Sequence, residues 1–416
     1  MDRREFLQRA GLIVAAPTVA GVLAACGKSD KSSASTAKKT ATTKVSGPPR
    51  KVRLGFIALT DCASIVMAKE LGYFAERNLD VSVEKQASWP ATRDNLLTGQ
   101  LDGAHCLFGM PFSVATGIGG SGSRALKIAM VLNNNGQAIT LAKDLAAAGY
   151  GDLEKARAAL TAKTPTLAMT FPGGTHDTWL RYWLKAAKVD EKILKIIPIP
   201  PPQMVANMKV NTMDGFCVGE PWGAVAVAQG IGFTHLNTQD LWQHHPEKAL
   251  VVNERFATDQ TDVLKDVMGA ILKAGRWLDE RTNRHKAAEV IGAPAYVNAP
   301  PADIEGRMLG KYELGAGLGS RTYTDDYMTF FRDGKVNAPR RAHAIWFMAQ
   351  YKRFGLLKED PPYRELADSL ILHELYREVA AKEKVDVPDD DMKPFSVRLD
   401  QVTFDPTKPQ EEAARP

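Results

Sequence analysis

The chain is poor in cysteine, with four in 416 residues. That excludes a disulfide scaffold of the kind small secreted domains need. Catalytic signatures are missing too: there is no Walker A sequence, no GxSxG and no HExxH. The adjacent pair His244-His245 diverges and is poorly spaced for one metal, and Asp389-Asp390-Asp391 reads as a solvated acidic run. The most apolar stretch of the N-terminus, Ala10 to Ala25, is short of the about 20 residues a spanning helix needs, and Pro17 and two glycines interrupt it.

A net charge of +5, from 53 Lys+Arg and 48 Asp+Glu, is no sign of nucleic-acid binding once it is located. Residues 1–50 hold nine basic and three acidic residues, a sum of +6, so the other 366 residues carry −1. A broad phosphate-binding face needs its cations clustered on the fold itself.

What the N-terminus does contain is an address. Arg3-Arg4 followed by Phe6-Leu7 resembles a twin-arginine (Tat) export head, and the apolar stretch after it reads as a cleavable signal. Leu23-Ala24-Ala25-Cys26 resembles a lipobox, which makes Cys26 the lipidated new N-terminus of residues 1–26. Residues 27–50 are rich in Ser, Thr, Lys and Ala without apolar periodicity, the composition of a flexible tether. Cys62, Cys106 and Cys217 sit among apolar neighbours and read as buried thiols.

From Val52 onward, apolar runs and amphipathic stretches alternate at 10–15-residue spacing, as in a parallel α/β sheet. Val52–Leu59 reads as a strand, and Thr60-Asp61 as the N-cap of a helix over 63–71. Further strands are expected at 79–83 and 101–106, with a helix opening at Trp89-Pro90. The pattern returns from Thr166, with a loop Pro172-Gly173-Gly174, a helix over 175–187 and a strand over 212–218. Asp102-Gly103 and Asp214-Gly215 occupy the same place in each run, which suggests two lobes of similar build. Past Leu250 the chain is mainly helical, including a helix over 363–379. A polar, Gly-rich loop is expected over 312–336, and a tail from about 384 that lies over the surface or frays.

The segment LGFIALTDCASIVMAKELGYFAERNLDVSVEKQASWPATRDNLLTGQLDGAHCLFGMPFSVATGI resembles the nitrate- and bicarbonate-binding lipoproteins of ABC importers (the NrtA/CmpA-like family), and its nitrate branch in particular. So do NGQAITL at 135–141, FPGGTHDTWLRYWL at 171–184, and VGEPWGAVAVAQGIGFTHLNTQDLWQHHPEKALVV at 218–252. The resemblance implies an α/β fold, the periplasmic-binding-protein type II clamshell, with a ligand cleft between two Rossmann-like lobes. Residues 51–137 with 250–383 form lobe 1, 138–249 form lobe 2, and 384–416 form a C-terminal extension. It implies a monomer on the periplasmic side of the membrane, anchored by lipid. That monomer delivers a small inorganic anion to permease and ATPase subunits, with no catalysis, no cofactor, no metal and no nucleic acid.

The residues associated with the anion in that family match Trp89, Gln137, His176 and Lys248. Each also suits the chemistry. A cleft that dehydrates nitrate must replace its water shell. Lys248 supplies charge, Gln137 and His176 supply donors, and Trp89 an indole N–H or a flat apolar wall. Thr175, at a helix N-cap, offers its hydroxyl and free backbone N–H groups. Glu220, followed by Pro221-Trp222, suits a cleft wall, a hinge or a ligand contact. The bicarbonate branch implies an acidic residue and a cation such as calcium at the Lys248 position, so Lys248 favours nitrate or nitrite without metal. The competing readings are a calcium-dependent bicarbonate binder, a sulfonate or taurine binder, a regulatory nitrate sensor, and an enzyme on the same fold. The export signal opposes the sensor, and the missing nucleophile–base set opposes the enzyme.

Overall fold

The computed structural model describes residues 47–416; the export head, Cys26 and nearly all of the tether lie outside the described residues. Among the described residues no helix is long and apolar enough to cross a membrane.

Two five-stranded sheets organise the chain. The first is built from β1 (Arg50–Phe56), β2 (Leu79–Lys85), β3 (Gly103–Leu107), β4 (Leu126–Asn134) and β10 (Pro246–Asn253), in the order β2-β1-β3-β10-β4. The second uses β5 (Gln137–Ala142), β6 (Thr166–Met169), β7 (Lys195–Pro198), β8 (Gly215–Gly219) and β9 (Gly232–Asn237), in the order β7-β6-β8-β5-β9. The two orders are the same: three parallel strands, then one antiparallel strand contributed by chain returning from the other lobe, then a last strand. β4 and β10 are buried along their whole length: β10 is a central strand, and β4, at the end of the sheet, is covered by later chain that bridges to it at Ile371 and Thr329.

The Asp-Gly echo has a physical cause. The Asp102 carboxylate accepts the Arg53 backbone N–H at 2.8 Å, and the Asp214 carboxylate accepts that of Thr166 at 2.8 Å. Each aspartate satisfies a backbone N–H of the strand beside it, in the middle of β1 and at the start of β6. The glycine after it sits where neighbours crowd: a Cβ on Gly103 would lie 3.1 Å from Leu54 and Val252, and one on Gly215 2.7 Å from Leu141.

Several expectations are corrected. Pro246–Ala249, placed above in lobe 2, pairs in the first sheet, and Gln137, placed in lobe 1, opens the second. Asp61 is no N-cap: helix Ala63–Glu70 follows a 3-10 turn at Thr60–Cys62, and the carboxylate points into the core. The 363–379 helix breaks at Ile371, which bridges to Ile128, giving Tyr363–Leu370 and His373–Lys382. The 312–336 loop is partly a hairpin, Lys311–Glu313 with Ser320–Thr322.

The tail does not fray. Phe395–Val397 and Val402–Phe404 form a hairpin, and Phe395 stacks on Trp242 at 4.5 Å between ring centroids. Arg415 then binds Asp400 and the Tyr182 hydroxyl. Nor is Asp391 solvated; it is buried and receives both Arg341 Nε (2.5 Å) and Nη2 (2.9 Å). Both corrections share a cause, since apolar anchors and ion pairs spaced far apart in sequence leave no local periodicity.

Candidate functional site: a buried ionic cluster between the lobes

Lys248 lies near the start of β10, and β10 is irregular there. Pro246 pairs with Asn134 and Lys248 with Asn133, so the register against β4 slips around Glu247. The Lys248 N–H reaches the Asn133 side-chain oxygen at 3.3 Å. In a regular strand, consecutive side chains point to opposite faces. Here the slip brings Glu247 and Lys248 together, and the ammonium donates to the Glu247 carboxylate directly. It also donates to Asp61 Oδ2 at 2.7 Å, from the turn after β1. All three side chains are fully buried.

Around this core stand side chains from both lobes. His105 Nε2, on β3, meets Asp61 Oδ1 at 2.6 Å; a carboxylate only accepts, so Nε2 carries the proton. The Trp89 ring lies 5.9 Å from Lys248 Nζ and from the His105 ring. From helix Thr175–Ala186 of the second lobe, Thr175 Oγ1 and His176 Nε2 each lie 3.4 Å from Glu247 Oε1, and Trp179 Nε1 lies 3.5 Å from Oε2. Thr170 Oγ1 is 2.5 Å from His176 Nδ1, so the hydroxyl donates there and the His176 N–H faces Glu247.

The protonation states follow from competition between burial and charge. Burial alone would raise the Asp61 carboxyl, but Lys248 and His105 outweigh it and hold it at about 2. Burial opposes ionisation of Glu247 as well, and Lys248 again prevails, so it sits below its usual value. Burial would lower Lys248, but the two carboxylates raise it. Burial lowers His105 and His176, which keeps both neutral near pH 7.

Of the six residues expected at the site, Trp89, Thr175, His176 and Lys248 are brought to this cluster. Gln137 opens β5, and neither of its buried amide atoms has a partner among the described residues; nor has Trp89 Nε1. A buried donor left unmade costs about 1–3 kcal/mol. Glu220 is elsewhere. Its carboxylate accepts the Ala224 N–H at 3.1 Å and lies 3.5 Å from Arg307 Nε, while its backbone C=O accepts the Thr60 N–H at 2.7 Å. It belongs to a lobe-to-lobe seam, and burial raises its carboxyl.

That seam closes the cleft. The Trp222 indole donates to the Ala58 carbonyl at 3.0 Å, and Ser113 Oγ to the Pro172 carbonyl at 2.6 Å. The Tyr351 hydroxyl lies 2.8 Å from the Gly109 carbonyl and 2.5 Å from that of Gly173, one from each lobe. Gly173 has φ +67, and a Cβ there would strike Ser113 Oγ at 2.7 Å. Open surface cavities lie away from the cluster, for example 220 Å³ beside Arg53 and Arg255. Among the described residues no three His, Cys, Asp or Glu side chains group as a metal site would require.

Asp61, His105, Glu247 and Trp179 were not expected at the site from the sequence. A signal exists for Asp61 alone, since it follows the carboxyl end of a parallel strand, where open α/β sheets place their ligand sites.

Two similar sheets, a closed cleft and an ionic cluster between them define a two-lobe clamshell of the periplasmic-binding-protein class. The chain belongs to the NMT1-like family, whose model matches residues 46–292. It is 35% identical over 433 residues to the nitrate/nitrite binding protein NrtA of Nostoc, covering 99% of this chain and 97% of that one. The crystal structure of the periplasmic nitrate-binding protein NrtA from Synechocystis is similar with a TM-score of 0.83 at 36% identity, over 88% of this chain and 98% of that one. The bicarbonate-binding protein CmpA of Synechococcus elongatus is 26% identical over 383 residues, covering 87% and 85%.

Proposed function

We propose that this protein is the extracytoplasmic solute-binding component of an ABC importer, and that it captures nitrate or nitrite between its lobes for delivery to the permease and ATPase subunits. The observation that carries this reading is the convergence of Lys248 with Thr175, His176 and Trp179 on one flat carboxylate, that of Glu247. Those are the cation and donors that a planar oxyanion requires. Trp89 and Gln137 add unpartnered polar atoms, and the similarity to NrtA of Nostoc and Synechocystis supports the same ligand class. Glu220 acts at the seam.

Lys248 also sets the choice among anions. Nitrate has acceptors only, so a lysine serves it without a metal; bicarbonate carries an O–H that needs an acceptor. Export by the twin-arginine head, lipidation at Cys26, a Ser/Thr/Lys tether and a monomeric clamshell complete the proposal. Such a protein binds and releases its ligand without catalysis.

Calorimetric titration with nitrate, nitrite and bicarbonate, with and without calcium, tests it. Saturable heats are expected for nitrate and nitrite, unaffected by calcium. Calcium-dependent bicarbonate binding with no nitrate response would overturn it.

A further inference from the structure

Lys248 is shared by two carboxylates that do not stand in equivalent places. Asp61 is held on the first-lobe side, with His105 on its other oxygen. Glu247 faces the second lobe, where Thr175, His176 and Trp179 surround it at 3.4–3.5 Å. Its carboxylate therefore sits, within the chain, where a flat trigonal anion would meet Lys248 and the second-lobe donors. With both histidines neutral, Asp61 and Glu247 against Lys248 already sum to −1. A monoanion beside them brings the buried cluster to −2. Like charges at contact distance repel far more strongly in a water-excluded space than in solvent.

We propose that the anion is captured together with one proton from solvent, which converts the Glu247 carboxylate into a carboxylic acid whose O–H donates to the bound anion. The proposal rests on the oxyanion reading above and names the co-ligand of the same site. The step adds one proton to one carboxylate, with no bond made to the anion and no electron transferred. It turns Glu247 from a rival for Lys248 into a donor, which suits a ligand made only of acceptors.

The titratable groups facing Glu247 are Lys248 on its own strand, Asp61 on the turn after β1, His105 on β3, His176 on the second-lobe helix, Cys217 on β8 and His245 before β10. Lys248 is the one among them that is positively charged at neutral pH. An anion beside Lys248 weakens the interaction that keeps Glu247 ionised. His105 stands 2.6 Å from Asp61, whereas the second-lobe donors lie 3.4–3.5 Å from Glu247, so Glu247 is the less tightly held and is the carboxylate that yields.

Titration of the full-length protein with sodium nitrate near pH 7, in buffers of different ionisation enthalpy, counts the protons. Uptake approaching one proton per nitrate is expected, with Kd rising by up to about tenfold per pH unit. Glu247→Gln should abolish the uptake and flatten Kd against pH. His176→Gln keeps Glu247 and should retain the uptake whatever its affinity, and the wild-type proton count decides the matter even if a variant folds poorly. Nitrate binding without proton uptake overturns this proposal and leaves the oxyanion reading standing. Uptake that persists in Glu247→Gln overturns it as well. Absence of any nitrate heat defeats the oxyanion reading itself.

Discussion

Asp61 and Lys248 stand 187 positions apart in the chain and 2.7 Å apart in the fold, both without solvent exposure. The contact joins the turn after β1 to β10, the strand of the same sheet that returns from the other lobe. Removing one member of such a pair strands the other as a buried charge.

Lys248→Met should therefore fail twice. Nitrate affinity should fall at least about 100-fold, since a lost charge-assisted contact in a dehydrated site costs several kcal/mol. Stability should fall by about 3–5 kcal/mol, because two buried carboxylates lose their shared cation. Calorimetry and thermal melts measure the two effects separately. Full affinity in a folded variant would remove Lys248 from the site.

The seam makes its own prediction. Tyr351→Phe keeps the ring but deletes the hydroxyl between the carbonyls of Gly109 and Gly173. Loss of about 1 kcal/mol from the closed form should weaken nitrate binding by roughly fivefold. Because the affected carbonyls lie outside the ionic cluster, the change should leave the preference among anions unaltered in competition titrations.

Acid should destabilise the fold early. Burial depresses His235 and His245 to about 4, and it lowers His105, His176 and His343 too. A histidine depressed in the folded state is protonated first in the unfolded chain, so stability drops as pH falls from about 6.5 toward 4, by up to about 1.4 kcal/mol per pH unit for each such group. Asp61, held at about 2, contributes stability above about 4 that fades as pH falls through 2, so its effect has the same sign at lower pH. Thermal melts from pH 7.5 to 4.5 should show a steep decline; a flat Tm would contradict these assignments.

The C-terminal hairpin should matter to folding. Phe395→Ala unstacks Trp242, whose ring also packs on Trp346 at 4.9 Å and Trp179 at 5.9 Å. A loss of about 2 kcal/mol is expected from the exposed ring surface, read by urea denaturation.

The alternation of short apolar runs with helices made the two-sheet architecture legible, because periodicity is a local property. Asp102-Gly103 and Asp214-Gly215 could be matched for the same reason; their role, fastening the adjacent strand, is repeated in each sheet. Lys248 and His176 were expected through surrounding motif, not through any chemistry of their own, and both stand in the buried cluster. Asp61 was misread because the same residue type caps helices and pairs with lysines, and only the fold decides between them. Glu247 carries no local signal, since regular strand alternation would set it on the face opposite Lys248. The slip in register that reverses this depends on Asn133 of a different strand, 115 positions away, and no window of sequence contains both.

That slip has a consequence for how such a protein changes its preference over time. Lys248 is aimed by an irregularity of the backbone, while β10 stays paired with both neighbouring strands through Val252. A different side chain can be presented from the same spot without re-pairing the strand. On the proposed reading of Lys248 the discriminating element is one codon wide, so a lineage could trade one nutrient for another while keeping the scaffold that carries it.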